Sequence, residues 1–466
     1  MENSKLSALL SSFSAREWRS FNELVRAPFF NRSEEVIRLF DWLEERITTL
    51  EHLDRKSAHQ AVFPDTDYQD ARLNHTMSAL LKLGETFIGL LEYQKEGFLP
   101  EFMILKGLSE RGLEKHYRYL FERKSQEMER TNRQSALDFL NRYKLENLEA
   151  YRLQLQGGQG FNPFVQRTSD SLDNFYLAEK LRCTCFMLTS ERLLAVPYRI
   201  YLAEEINEYL RQCNPESLSP IVWAYHLVYQ LLSKPEAHDE FERLKAALPA
   251  LESKLSRAEI EEIYQHAINY CNLQIIQAES RYVVEALNLY IWGLDTGILL
   301  QNDQLSPWHF KNIIKLALRL AKYEWTEQFI RARTPLLPRE FREDAFHFNL
   351  AELYYYTKQN DKALENLNKV EFRDVSYHLG AKIMLAKIYF EMDAFDALDS
   401  LLHAFGIYLR RNKVISEDIR KTYLNFVAIL GKLTRATSTQ FPALRSKIET
   451  APLLAARTWL LNQVRG

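Results

Sequence analysis

Apolar residues in this chain recur at the three- and four-residue spacing of amphipathic helices, and few residues interrupt the pattern. The 466 residues include only 14 glycines and 14 prolines, about half the usual share of these helix breakers. No alternating pattern indicates a β-strand. The sequence therefore predicts an all-α fold. It disfavours folds that need many tight turns or glycine-rich phosphate loops. The clearest apolar stripe comprises Leu73, Met77, Leu80, Leu81, Gly84, Ile88 and Leu91.

Several helix starts are marked by capping residues. Ser14 with Glu17, and Ser256 with Glu259, form Ser-x-x-Glu capping boxes, in which serine and glutamate bind free backbone N–H groups. Ser306 precedes Pro307, a residue that favours the first position of a helix. Further helices are predicted near residues 34–48, 113–130, 132–155, 171–190, 197–212, 219–232, 236–247, 257–276 and 280–295.

One glycine-rich stretch interrupts the helical pattern. It contains Gly157, Gly158 and Gly160, but no Lys-Ser or Lys-Thr follows and no strand precedes, so a phosphate-binding loop is not predicted. We interpret it as a connector. The predicted segments are an N-terminal helical region at 1–156, a connector at 157–170, central hairpins at 171–300, repeats at 301–433 and a basic capping segment at 434–466.

The chain carries no signal for secretion or for membrane insertion. The apolar run near Leu9 is short and broken by serines, and no stretch approaches the roughly 18 apolar residues that span a bilayer. Four cysteines without regular spacing favour a reducing compartment. We therefore expect a cytoplasmic protein with no membrane span.

No catalytic, cofactor or metal motif is present. No two histidines lie closer than seven residues, so no helical pair of metal ligands exists. Cys183 and Cys185 would point in opposite directions on a helix and are expected to be buried structural thiols. A nucleophile elbow and a dinucleotide-binding fingerprint are also missing. We expect no enzyme activity, with a composite active site built from distant helices as the alternative.

The C-terminal third contains an internal repeat. Leu350, Ala351, Tyr354 and Ala363 are matched by a second set 34 or 35 residues later, namely Leu385, Ala386, Tyr389 and Ala397. A weaker copy places Gln328 at the alanine position, 35 residues before Ala363. A 34-residue helix–turn–helix period resembles tetratricopeptide repeats over residues 308–433. The resemblance implies a right-handed α-solenoid of antiparallel helical hairpins. The usual repeat glycine and closing proline are absent, and the turn between Tyr389 and Ala397 is one residue short.

A second resemblance involves both ends of the chain. The sequence Leu24-Val25-Arg26-Ala27-Pro28-Phe29-Phe30-Asn31 is similar to a block in uncharacterised helical-repeat proteins of Bacteroidota. The matching C-terminal blocks are Leu409-Arg410-Arg411-Asn412-Lys413, Tyr423-Leu424-Asn425-Phe426 and Trp459-Leu460-Leu461. This resemblance implies a cytoplasmic helical-repeat protein and brings no activity with it.

The tetratricopeptide resemblance also implies a binding surface. Residues one position beyond the packing tyrosine face the inner side of such repeats, which assigns Tyr355 and Glu352 from one repeat and Lys387 and Phe390 from the next. A mixed aromatic and charged surface suits an extended peptide or a partner helix. The carboxylate clamp of some tetratricopeptide domains is not evident, because Ala351 and Tyr355 occupy two of its positions.

Charge is uneven along the chain. Residues 407–466 carry 11 lysines and arginines against three acidic residues, whereas the whole chain has a net charge of −2. Arg410, Arg411 and Lys413 begin this basic segment. It is either a capping region or a surface for an acidic partner or nucleic acid. We expect a non-catalytic scaffold that binds a protein or peptide, with nucleic-acid binding as the alternative.

Overall fold

The computed structural model describes residues 1–49, 52–156, 160–194, 197–234, 236–370, 375–412 and 415–464. In these ranges the chain forms 23 α-helices, four short 3-10 turns and one two-stranded antiparallel hairpin. The predicted all-α class is confirmed. Contacts group the chain into two units, residues 1–132 with 137–173 and residues 133–136 with 174–466, where the sequence predicted five segments.

The first unit contains the N-terminal helices. They are α1 (Lys5–Ser11), α2 (Ala15–Arg26), α3 (Glu34–Thr49), α4 (Arg55–Val62), α5 (Asp70–Lys95), α6 (Leu99–Glu110), α7 (Glu114–Arg130), α8 (Ala136–Leu155) and the start of α9 (Pro163–Leu194). The core of α1 to α5 centres on Phe21, whose ring lies 5.5 Å from that of Phe40 and 5.3 Å from that of Phe87. All three rings are buried, so this cluster holds α2, α3 and α5 together.

A buried ionic network joins α7 and α8. Glu149 accepts a hydrogen bond from the Tyr117 hydroxyl at 2.8 Å and pairs with Arg152 at 2.6 Å. Arg152 also pairs with Glu114 at 2.9 Å. Because burial removes these charges from water, the geometry must supply partners for each of them, and here it does.

The second unit continues the chain of helices. After α9 come α10 (Ala203–Gln212), α11 (Pro220–Ser233), α12 (His238–Glu252), α13 (Arg257–Ile276), α14 (Arg281–Asp295), the strands β1 (Leu300–Gln301) and β2 (Gln304–Leu305), α15 (Pro307–Arg319), α16 (Tyr323–Arg333), α17 (Arg342–Tyr356), α18 (Asn360–Leu367), α19 (Val375–Glu391), α20 (Phe395–Arg411), α21 (Glu417–Leu433), α22 (Phe441–Thr450) and α23 (Arg457–Gln463).

Four helical hairpins of this unit share one turn. In α13–α14, α15–α16, α17–α18 and α19–α20, a single exposed residue adopts the left-handed conformation, with φ between 54° and 69°. The next N–H then bonds back to a carbonyl five residues earlier, at 2.8–3.0 Å. This pattern ends the first helix and satisfies its free carbonyls. The left-handed residues are Ala278, Ala321, Lys358 and Asp393.

The shared turn corrects the predicted repeat alignment. Five residues after Ala321, Lys358 and Asp393, the second helix places Thr326, Ala363 and Leu398, each fully buried. Ala397 and Gln328, the predicted equivalents of Ala363, are both exposed. The turn before α20 is therefore not one residue short. The spacings are 37 and 35 residues, and leucine replaces alanine at the third position.

Close approach of α13 and α14 depends on a glycine. A Cβ atom at Gly293 would lie 2.6 Å from the Tyr264 hydroxyl oxygen, which is closer than van der Waals contact allows. That hydroxyl donates to the Leu289 carbonyl at 2.9 Å, so the tyrosine is held against the glycine. Gly293 thus sets the distance between the two helices.

Most predicted helices are confirmed within a few residues, and so are both capping boxes. Three details differ. Helix α9 starts at Pro163, inside the predicted connector, and Gly157 and Gly158 lie outside the described residues. Cys183 is exposed, whereas Cys185 is buried as predicted.

The third difference is the β-hairpin, which sequence analysis missed. Its turn residues, Asn302 and Asp303, both have positive φ, as a two-residue type I′ hairpin turn requires. Each strand spans only two residues, which is too short for an alternating pattern to appear in the sequence.

Replacing Ala321 with glycine is expected to stabilise the protein by roughly 0.5–1 kcal/mol. Glycine avoids the strain of a left-handed alanine, and this gain exceeds its larger entropy in the unfolded chain. Chemical denaturation would measure the change. The matched control is Ala404→Gly at an exposed position within α20, which should destabilise by about 1 kcal/mol. Equal losses in both variants would contradict the role assigned to the turn.

Candidate functional site

Four of the predicted binding residues lie on two neighbouring helices of the second unit. Glu352 and Tyr355 are on α17, Lys387 and Phe390 are on α19, and the two helices pack against each other. All four side chains are partly exposed. Together with Glu391 of α19 and Trp459 of α23 they form what we call the α17–α19 cluster.

Glu391 is the centre of this cluster. Its Oε1 accepts hydrogen bonds from the Tyr355 hydroxyl at 2.5 Å and from the Trp459 indole N–H at 2.8 Å. Its Oε2 accepts from the Lys358 ammonium at 3.0 Å. Burial alone would raise the pKa of Glu391, but the donors from Tyr355, Trp459 and Lys358 outweigh burial and lower it. The carboxylate is therefore ionised and accepts three donors, one from α17, one from the turn after it and one from α23.

Trp459 brings the C-terminal helix into the cluster. Its ring lies 5.5 Å from that of Phe390, edge to face, and the Lys387 ammonium lies 5.7 Å from the ring centroid. Such edge-to-face and cation–π contacts each add of order 1 kcal/mol. Two residues predicted to bind a partner thus contact a segment of the same chain.

Lys387 is a largely buried cation. Burial lowers its pKa, the negative charges of Glu352 and Glu391 oppose that effect, and neighbouring Lys315 lowers it further. No salt bridge within 4.0 Å is formed by Lys387 among the described residues. A partly buried ammonium of this kind favours an additional anionic or aromatic group beside it.

Glu352 likewise has a polar atom without a hydrogen-bond partner among the residues that the structure describes. Its Oε2 is buried and accepts no hydrogen bond within the described part of the chain. The neighbouring Tyr356 is 46% exposed, and its pKa is raised by burial of the hydroxyl and then by the charge of Glu352. This side of the cluster therefore combines an open aromatic ring with an unsatisfied carboxylate oxygen.

The predicted basic residues lie elsewhere. Arg410 and Arg411 occupy the last turn of α20 and are exposed, and Lys413 lies outside the described residues. Further along, Arg435 pairs with Asp399 and Arg445 pairs with Glu449. These contacts neutralise part of the positive charge counted in the sequence.

The second unit contains a cavity of about 470 Å³ that bears on the alternative of a composite active site. It lies among α13, the β-hairpin and α15, and its polar lining includes Glu261 and His309. Glu261 pairs with Arg257 at 2.5 Å, whereas the buried Nδ1 of His309 has no hydrogen-bond partner among the described residues. This arrangement provides no nucleophile–base pair or charge relay.

Two further properties concern the described residues as a whole. None of their helices combines the length and apolar character needed to cross a membrane. No group of three or more histidine, cysteine, aspartate or glutamate side chains among them could hold a metal ion.

Sequence reasoning missed the two residues that organise the cluster. Glu391 follows the predicted Phe390 directly, but nothing in the repeat pattern marks it as different from other helix-ending glutamates. Trp459 was noted only as part of a C-terminal block, and it lies 68 residues from Glu391. Only the path of the chain shows that these two side chains meet.

Replacing Glu391 with glutamine is expected to destabilise the protein by about 1–3 kcal/mol at pH 7, since charge-assisted hydrogen bonds become weaker. The pKa of Glu391 is lower in the folded state than its ordinary value of 4.5. The ionised carboxylate therefore stabilises the protein fully at pH values above 4.5. The effect is lost as pH falls through the folded-state pKa.

Urea denaturation between pH 3 and pH 7 measures this dependence. The difference between wild type and Glu391→Gln should shrink below about pH 4.5. Glu343→Gln, on the 88% exposed Glu343 of α17, is the matched control and should show little effect at any pH. A difference that does not change with pH would show that the charge of Glu391 is unimportant.

Comparison of the chain with known protein families, curated proteins and solved structures gives no match.

Proposed function

We propose that this protein is a non-catalytic interaction protein that binds a peptide or a helix of a partner protein at the α17–α19 cluster. The observation that carries this proposal is the convergence of donors from α17, from the turn after it and from α23 on Glu391, beside the partly buried Lys387 and the exposed Tyr356. Aromatic and charged groups of this mixture are typical of peptide-binding surfaces.

The recurrent hairpins support a stacked-repeat architecture for the second unit. The same left-handed turn recurs at Ala278, Ala321, Lys358 and Asp393, and α15, α17 and α19 pack in succession. We infer that these hairpins form a right-handed, tetratricopeptide-like solenoid. Stacked hairpins present their first helices side by side, which produces a continuous surface for a ligand.

The chemistry of the cluster favours binding over catalysis. In the cluster, Tyr355 donates to Glu391, and burial followed by that hydrogen bond raises the pKa of the tyrosine. A tyrosine with a raised pKa is a poor base and a poor nucleophile. The cluster is suited to hold a ligand and not to transform it.

Nucleic-acid binding is the less favoured function. It would depend on free positive charge in the C-terminal segment, but Lys421 pairs with Glu417, and Arg457 donates to the carbonyls of Ile448 and Glu449. Internal pairing leaves fewer cations for phosphate contacts, and these contacts dominate nucleic-acid affinity.

Affinity capture from a lysate of the native host would test the proposed binding surface. Tyr355→Ala and Lys387→Glu should each reduce recovery of the bound partner at least tenfold, because each removes a contact of the cluster. The matched controls are Tyr119→Ala and Lys56→Glu, which alter exposed residues of the first unit.

Circular dichroism must show that all four variants are folded. Recovery of the same partners at the same yield by wild type and both cluster variants would refute the assignment.

A gel-shift assay separates the two candidate functions. With RNA or DNA at 50 mM salt we expect no shift up to about 10 μM protein, a concentration within the range at which non-specific nucleic-acid binding is ordinarily detected. A shift that disappears as salt is raised, and that Arg410→Ala with Arg411→Ala weakens, would favour nucleic-acid binding instead.

A further inference from the structure

The α17–α19 cluster already binds one segment of the chain. Helix α23 contributes the Trp459 indole, which donates to Glu391 and contacts Phe390 and Lys387. The next residue, Leu460, is completely buried in an apolar cluster with Ala386 of α19. The aromatic donor thus contacts α19, and the leucine that follows it lies in the apolar cluster beside α19.

Helix α23 is held by these side chains, by Val464, which is buried in the same apolar cluster, and by a hydrogen-bonded tether. Its seven residues are too few for a helix that is stable by itself in water. The residue before it, Ala456, has a φ of 52°, a conformation that is unfavourable for alanine. Arg457 supplies the tether, donating to the carbonyls of Ile448, Glu449 and Ala451 at the end of α22.

Binding of an external partner to the predicted residues therefore meets a competitor. The Trp459 side chain takes one acceptor site on Glu391 and one face of Phe390. A ligand that uses these same groups must replace Trp459, since an indole and a second aromatic ring cannot occupy the same volume.

We propose that α23 is a built-in ligand of the α17–α19 cluster, and that the partner is a short helix with the same chemistry. That partner helix presents an aromatic ring to Lys387, an N–H donor of the same ring to Glu391, and a leucine directly after it to the site of Leu460. It binds when α23 is displaced. This inference rests on the proposed function, because it identifies the ligand of the same surface.

Each contact of α23 specifies one property of the partner. The carboxylate of Glu391 selects a donor, which favours tryptophan over phenylalanine. The Lys387 ammonium, 5.7 Å from the ring centroid, favours an electron-rich aromatic face. The buried position of Leu460 requires an aliphatic residue next to the aromatic one.

A labelled synthetic peptide of residues 452–464 serves as the probe for the partner helix. Its binding to three full-length proteins would be measured by fluorescence anisotropy. These are the wild type, a Trp459→Ala, Leu460→Ala double variant that vacates both sites, and an Arg457→Ala variant that loses only the tether.

We expect the peptide to bind both variants at least tenfold more tightly than the wild type, in which α23 occupies the cluster. The Arg457→Ala variant retains both apolar side chains, so it remains informative if the double variant is poorly folded. Circular dichroism and thermal unfolding establish which variants are folded.

Matched peptides test the chemistry of the contact. A peptide with alanine in place of the tryptophan should bind the double variant at least tenfold less tightly, and one with phenylalanine should be intermediate because it keeps the ring but lacks the donor. Adding Glu391→Gln to the double variant should remove most of the difference between the tryptophan and phenylalanine peptides.

Two results would overturn this inference. One is equal affinity of the peptide for wild type and for both variants, and the other is no binding to a folded variant. If the peptide does not bind a folded variant while partner capture still depends on Tyr355 and Lys387, the cluster binds a partner of another kind and α23 is only a structural cap. If both experiments fail, the proposed binding function is itself wrong.

Discussion

The repeated helix–turn–helix hairpin is the constraint on which the second unit depends. A residue in the left-handed conformation lets the next N–H bond back into the finished helix, so the chain reverses while the terminal carbonyls keep their partners. In three successive turns the left-handed residue is not glycine but Ala321, Lys358 or Asp393. The strain at each is offset by burial of the helix faces that the turn brings together.

Once the hairpins stack, their first helices become neighbours and distant side chains can share one acceptor. Glu391 ends α19 beside Tyr355 of α17, and the C-terminal helix returns to place Trp459 against both. The carboxylate is stabilised because three donors compensate for the loss of water. The same contacts make the cluster rigid, and rigid arrangement of aromatic and charged groups favours selective binding.

Occupation of this cluster by α23 connects stability with regulation. The helix contributes apolar contacts through Leu460, yet it is short and begins with a strained residue. The proposed displacement requires that α23 open locally at a smaller free energy than the hairpins beneath it. Under the inference drawn above, a partner therefore has to supply only that local free energy in order to reach the binding residues.

Local signals in the sequence determined the helices. Capping boxes at Ser14 and Ser256 and apolar periodicity predicted the all-α class and most helix boundaries, because caps and amphipathic faces depend on residues within one or two turns. The tetratricopeptide resemblance assigned Tyr355 and Lys387 to one inner surface, and in the structure they lie on the packed helices α17 and α19. The repeat alignment was wrong by one residue in α20. It matched the small residue Ala397 to Ala363, whereas the structure buries Leu398 at that position.

Tertiary structure alone decided which distant groups meet. Nothing near Glu391 in the sequence indicates that its carboxylate will bind an indole 68 residues away, because that contact depends on the path of three intervening helices. The partial burial of Lys387 and the unsatisfied oxygen of Glu352 follow from the same packing. Helix formation is a local property and could be predicted from the sequence, whereas hydrogen-bond partners and burial are properties of the assembled fold.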